Sequence, residues 1–186
     1  NSLYGAILIP GCRFFDKRIG QSTTLTGRQV AKHMAAKVNE IITGEFNHVG
    51  KAVIYGDTDS CYFSAYTTLK KDIEAGHIPW TKENVIALYD QIDVNSTFVK
   101  FMQDTFHCPP SRGDVIRAGR EIVASQGLFI TKKRYAVLVY DKEGKRKDKD
   151  GSPGEIKAMG LDLKRSDTPA FIQDFLSDVL KKTLTG

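Results

Sequence analysis

At 186 residues the chain is long enough for one domain or one and a half, and for burial of roughly two thirds of its unfolded surface. A hydrophobic fraction of 41% and a charged fraction of 26% are ordinary for a soluble globular protein. There is no apolar run of membrane-spanning length and no secretory signal, and the net charge of +5 leans towards polyanionic partners.

Cys12, Cys61 and Cys108 are scattered, with neither metal-binding spacing nor an even disulfide framework, so a reducing, cytoplasmic setting is expected. The first residue is Asn1 rather than Met, and the chain is expected to be a piece of something longer.

Asn1-Ser2-Leu3-Tyr4-Gly5-Ala6 suits the tail of a helix closed by Gly5, and Ile7 to Phe15, interrupted by Pro10 and Gly11, suits a bend. Val30, Met34, Val38, Ile41 and Ile42 then recur at helical spacing, with Ser22 or Thr23 as the expected cap and Gly44 as the stop. His33 beside that stripe is expected to be a satisfied boundary histidine rather than a ligand.

Two β-prone runs, Lys51 to Tyr55 and Cys61 to Ser64, flank Gly56-Asp57-Thr58-Asp59-Ser60 and predict a hairpin, with Gly56 supplying a positive φ at the turn. Asp57 and Asp59 place two carboxylates close together on a rigid tip. That is a site for a hard cation such as Mg²⁺, whose shell water and substrate phosphates complete. Ordinary turn chemistry also accounts for Asp-Thr-Asp, because Asp side chains bond nearby backbone. An EF-hand is not expected, since the later ligands and the closing Glu of a twelve-residue loop are missing and the flanks read as strands.

Tyr66 to Trp80 is expected to be a polar connection, followed by one long helix carrying Val85, Ile86, Tyr89, Ile92, Val99, Met102 and Phe106. Cys108-Pro109-Pro110 breaks it, with Cys108 taken up in packing. Val115 to Ala124 is expected as a strand. Its acid, Glu121, faces either solvent or the same site as the aspartates.

Leu128 to Asp141 is expected as one strand opening on Thr131-Lys132-Lys133-Arg134-Tyr135. Consecutive cations followed by an aromatic suit a phosphate backbone and a base or sugar, and taken alone suit a lysine-protected edge strand slightly better. Asp141 to Gly154 is expected as a flexible charged hairpin tip. Asp167 or Thr168 and then Pro169 predict the start of a last helix with Phe171, Ile172, Phe175, Leu176, Val179 and Leu180 on its apolar face.

Three of these stretches in this order, Asn1-Ser2-Leu3-Tyr4-Gly5, Tyr55-Gly56-Asp57-Thr58-Asp59-Ser60 and Lys132-Lys133-Arg134-Tyr135, resemble motifs of family B replicative DNA polymerases. The first is similar to the end of the fingers-helix motif, the second to the palm aspartate motif, the third to the template–primer motif. Lys157-Ala158-Met159-Gly160-Leu161 followed by Arg165-Ser166-Asp167-Thr168-Pro169 resembles the palm-to-thumb crossing of T-even-type bacteriophage polymerases, so the resemblance covers essentially the whole chain.

The resemblance implies an α+β fold: an antiparallel palm sheet with long helices packed on one face, within a fingers/palm/thumb polymerase. Residues 1–9 would end the fingers helix, 10–160 form the second part of the palm, and 161–186 begin the thumb. It implies DNA-templated DNA synthesis, a two-metal nucleotidyl transfer from a dNTP to a primer 3′-hydroxyl. Asp59 would ligate both Mg²⁺ ions (Mn²⁺ can substitute), with Asp57 as the supporting carboxylate and Glu121 as an auxiliary acid.

Asn1, Tyr4 and Gly5 would lie at the nascent base pair, and Thr58, Lys132, Lys133, Arg134 and Tyr135 at the primer. Partners would be primer–template DNA, dNTP, the remaining N-terminal polymerase part and a sliding clamp, with no membrane. The family's other metal-binding Asp and its fingers Lys are not in this sequence, which implies little or no synthesis by the chain alone. The rival functions are a non-catalytic DNA-binding or scaffold palm and another two-metal nucleotidyl enzyme.

Overall fold

The computed structural model describes residues 2–149, 151–162 and 166–186. The chain forms two compact units, Asn1–Ile78 with Ile92–Arg117, and Pro79–Gln91 with Ala118–Gly186. The architecture is α+β, with every strand pairing antiparallel. The strands divide between a two-stranded sheet in the first unit and a four-stranded sheet in the second. No helix among the described residues is long and apolar enough to cross a membrane.

The first unit is built on α1 (Ser2–Leu8), the 27-residue α2 (Lys17–Thr43), the hairpin β1 (Val53–Asp57) and β2 (Ser60–Phe63), α3 (Tyr66–Glu74), α5 (Asn95–Phe106) and the short α6 (Pro110–Gly113). Helix α2 starts earlier than expected. Asp16, in an extended conformation, caps it by accepting from the Arg18 amide at 2.9 Å. The hydroxyls of Thr23 and Thr24 turn backwards instead, onto the carbonyls of Ile19 and Gly20, and so cap nothing. Gly44 ends the helix in the left-handed conformation, φ 80°, and its amide closes on the Glu40 carbonyl at 2.8 Å.

His33 is a packed boundary histidine, as expected. Its ring stacks on Phe101 with centroids 4.0 Å apart and its Nε2 lies 3.0 Å from Thr97 Oγ1. Burial, and then the nearby Lys37 cation, hold its pKa below the ordinary imidazole value.

The region expected as one long helix is two, α4 (Lys82–Asp90) and α5. Asp93 interrupts it, its Oδ1 accepting from the amides of Asn95 and Ser96 at 2.8 and 3.3 Å. The apolar stripe runs on across that break, which is why periodicity alone bridges it. Helix α3 lies where a polar connection was expected; it buries no residue fully, and its apolar face is short, with Leu69 and Ile73 half-buried.

The second unit holds α4, β3 (Ile122–Thr131), β4 (Arg134–Lys142), β5 (Lys145–Arg146), β6 (Glu155–Met159) and α7 (Ala170–Thr185). Strand β4 is central and pairs with β3, β5 and β6. Seven consecutive residues of it, Tyr135 to Asp141, are buried. Ala136 and Leu138 pack with Leu161 and with Leu184 of α7, while Val123 and Tyr140 pack with Val85 of α4. Burial, with Tyr89 nearby, pushes the Tyr140 hydroxyl up to about 12.

Three expectations are corrected here. Residues 115–121 lie outside any strand, and β3 begins at Ile122. Leu128 to Asp141 is two strands joined by a turn at Lys132-Lys133. The charged stretch beyond Asp141, expected to be a flexible hairpin tip, is bonded to α4 at Arg146 and Asp148. Arg146 bonds Glu83 of α4 at 2.7 Å and Asp148 at 2.8 Å, Lys82 also pairs with Asp148, and both cations lie within 6 Å of the Tyr140 ring. The buried Asp141 is matched by Arg120, which also reaches Asp90.

Candidate functional site

The carboxylates sit at the tip of the β1–β2 hairpin. Asp57 is the last residue of β1 and pairs with Ser60, so Thr58 and Asp59 alone form the turn. Gly56 is not at the turn: it lies in β1 opposite Cys61 and its φ is not positive. Asp57 is partly buried and Asp59 exposed.

The backbone amide and hydroxyl of Thr58 donate to Asp57 Oδ1 at 2.8 and 3.1 Å, which fixes that carboxylate. Asp59 takes part in no described hydrogen bond or ion pair. The tip therefore presents one oriented and one outward carboxylate. Behind it, burial pushes the Cys61 thiol up to about 11, so Cys61 stays neutral.

The base of the hairpin is held by a residue that sequence reasoning did not single out. Asn39 of α2 is fully buried. Its Oδ1 accepts from the Ala52 and Val53 amides at 3.0 and 3.2 Å, and its Nδ2 donates to the Asn47 carbonyl at 2.6 Å. The Ala52 carbonyl accepts from the Ser64 amide at 2.8 Å, so both legs of the hairpin start from one knot. The only sequence signal was a polar residue inside the α2 apolar stripe.

Among the described residues no group of three or more His, Cys, Asp or Glu side chains is placed to hold a metal ion. The Asp57/Asp59 pair fits a cation that takes one or two protein carboxylates and fills its octahedron with water and phosphate oxygens, which is the habit of Mg²⁺.

Tyr4 and Gly5 lie inside α1, which continues to Leu8; Gly5 does not close it. Tyr4 is 36% exposed, and no atom crowds the face of Gly5 where a side chain would stand. Asn1 lies outside the described residues, as does Arg165 of the crossing motif.

The cationic tract belongs to the second unit and forms the tip of the β3–β4 hairpin. Thr131 pairs with Arg134, so Lys132 and Lys133 make the turn, with Lys133 at φ 60° and a register irregularity just before Thr131. Lys132, Lys133 and Arg134 are exposed. Tyr135 is not: it is 4% exposed and stacks on Phe129 at 5.7 Å, so its ring supports the tip from within. Arg134 Nε donates to the Gly160 carbonyl at 3.1 Å. Glu121, also in the second unit, accepts from Lys157 Nζ at 2.7 Å.

The sequence comparisons agree with one another. The family model for "DNA polymerase family B" matches residues 1–104. The DNA-directed DNA polymerase of Escherichia phage RB69 is 27% identical over 99% of this chain and 21% of its own length. That of Enterobacteria phage T4 is 26% identical over 99% and 21%. The DNA polymerase alpha catalytic subunit of Arabidopsis thaliana is 24% identical over 100% and 10%. The chain thus spans about a fifth of the length of its phage relatives. With the family model matching more than half of its residues, the chain belongs to DNA polymerase family B.

Proposed function

We propose that this chain contributes the carboxylate hairpin and the primer-contacting hairpin of a DNA-templated DNA polymerase. The observation that carries this is the β1–β2 tip: two carboxylates on a two-residue turn, one oriented by Thr58 and one exposed. In the reaction the primer 3′-oxygen forms a bond to the α-phosphorus of a dNTP, and pyrophosphate leaves.

Asp59 is the principal ligand for Mg²⁺ and Asp57 the fixed neighbour that supports it. When bound, two such ions stabilise the charge that develops on the attacking and leaving oxygens. Thr58 orients Asp57 and sits at the primer end. Tyr4 forms the floor beneath the nascent base pair, Asn1 lies at that pair, and Gly5 allows its close approach. Lys132, Lys133 and Arg134 hold the primer backbone by charge, and the buried Tyr135 keeps their hairpin rigid. Glu121 is an auxiliary acid held by Lys157. Residues 1–9, 10–160 and 161–186 correspond in this proposal to fingers end, palm and thumb start. The chain alone synthesises little or no DNA, because a second metal-binding Asp and a triphosphate-gripping Lys come from other polymerase segments.

The test is primer–template affinity of the chain with dNTP, measured with Mg²⁺ and with a chelator. The proposal expects a metal-dependent gain that Asp59→Asn removes. A gain that survives Asp59→Asn takes the metal away from Asp59. Binding indifferent to metal in both proteins favours a non-catalytic DNA-binding palm.

A further inference from the structure

The cationic tip does not stand alone. Gly160, the residue after β6, lies against it. The β4–β6 ladder pairs Tyr135 with Met159, so Gly160 falls beside Arg134, at the start of the tip. A Cβ at Gly160 would overlap the Lys133 carbonyl oxygen and come within 3.1 Å of its carbonyl carbon and 3.2 Å of Arg134 Cγ. Gly160 itself has φ 63°, a conformation glycine adopts at no steric cost. Its carbonyl takes the Arg134 Nε proton at 3.1 Å. The glycine therefore does two things at once: it admits the tip and it tethers one of the tip's cations.

Which side would give way is also decided by the packing. Met159 is held in the ladder and Leu161 is buried with Ala136, Leu138 and Leu184. The chain is thus fixed on both sides of Gly160, whereas Lys132 and Lys133 form an exposed two-residue turn. Crowding at position 160 would be relieved by displacement of the tip.

We propose that Gly160 is a positioning residue for the primer-contacting cations, setting the height and direction of Lys132, Lys133 and Arg134 against the phosphate backbone. This rests on the assignment of that tip to the primer. It adds that the Lys-Ala-Met-Gly-Leu stretch acts on DNA only through the hairpin it lies against.

The experiment measures binding of a fluorescent primer–template duplex to the whole chain as a function of salt, by anisotropy. One phosphate contact contributes a slope of about −0.9 in log K against log salt, which is about an eightfold change in affinity at 0.1 M salt. Lys133→Ala should lose up to that factor and flatten the slope by about one contact. Gly160→Ala should show a comparable loss of affinity and slope, and the loss should shrink in a Lys133→Ala background, because both changes act through the same contact.

Gly144→Ala carries the same kind of backbone strain, φ 78°, but faces open space, and should bind as the unaltered chain does. Arg134→Lys keeps the charge and causes no clash but loses the Nε donor. It should also weaken binding, and it serves if Gly160→Ala fails to fold by circular dichroism.

Lys133→Ala weakened with Gly160→Ala and Arg134→Lys unchanged overturns the positioning role alone. Fully additive losses from Gly160→Ala and Lys133→Ala overturn it as well. Lys133→Ala without effect, or no saturable binding by the unaltered chain, overturns the primer assignment and this inference with it.

Discussion

Asn39→Ala is the substitution expected to damage the first unit most for the fewest atoms removed. The side chain is fully buried and makes three hydrogen bonds. The Ala52 amide it serves belongs to a residue with no exposure at all, so deletion leaves a buried donor unpaired at about 1–3 kcal/mol. Val53 is half-buried and Asn47 exposed, and water can replace part of what they lose, leaving about 0.5–1 kcal/mol for each. The sum is about 3 kcal/mol. At a urea m-value of about 2 kcal/mol/M this moves the midpoint down by about 1.5 M.

The assay is urea unfolding followed by far-UV circular dichroism, with hydrogen exchange on the Ala52 and Val53 amides. A loss below about 1 kcal/mol with the Ala52 amide still protected would refute the reasoning, since an unpaired buried donor cannot be that cheap. Gly50→Ala attacks the same knot from the other side, because its Cβ would overlap the Asn39 amide, and about 1–3 kcal/mol should be lost there too.

Other outcomes follow from single contacts. Arg146, then Lys82, hold the Asp148 carboxyl well below the usual carboxylate range. A depressed carboxylate adds stability above its unfolded pKa of about 3.9 and loses it as the pH falls through the folded value. Asp148→Asn should therefore be less stable than the unaltered chain at neutral pH, with the gap narrowing below about pH 4; a gap that stays constant in thermal melts down to acid pH would contradict this. Gly44→Ala, at φ 80°, should cost about 1 kcal/mol in chemical unfolding. Cys61, its thiol raised to about 11 by burial, should be alkylated by iodoacetamide about tenfold more slowly folded than unfolded, once the greater nucleophilicity of a high-pKa thiolate is counted. Equal rates would place the thiol in water.

The parts of the fold that were legible were those where one interaction dominates the local chemistry. The hairpin around Asp57 and Asp59 shows as two β-prone runs and a polar turn, and β4 as an apolar run, because packing decides both. Gly44 stops α2 because few other residues take its φ so readily. The misreadings lie where side chains bond backbone in ways that spacing does not encode. Asp16 rather than Ser22 or Thr23 caps α2, and Asp93 divides α4 from α5 within an unbroken stripe.

The turn at Lys132-Lys133 was hidden for a related reason. It carries no Gly, Asn or Asp, and its left-handed residue is a lysine. Gly160, close to it in the fold and remote in the chain, leaves room for the Lys133 carbonyl and accepts from Arg134. Asn39, likewise, matters for what it reaches rather than for where it stands in α2. Tyr135 shows the converse: the motif pointed outward to DNA, whereas the ring lies in the uninterrupted buried run of the central strand and stacks on Phe129.

The central claim is that the β1–β2 tip provides a catalytic carboxylate of a DNA polymerase, and primer extension tests it most directly. The chain, combined with a polypeptide carrying the remaining family B palm and fingers segments, is given primer–template, dNTPs and Mg²⁺. The account predicts extension by the combination, little by either part alone, and none with Asp59→Asn. Extension that persists with Asp59→Asn, or none from parts shown to be folded and associated, would contradict it.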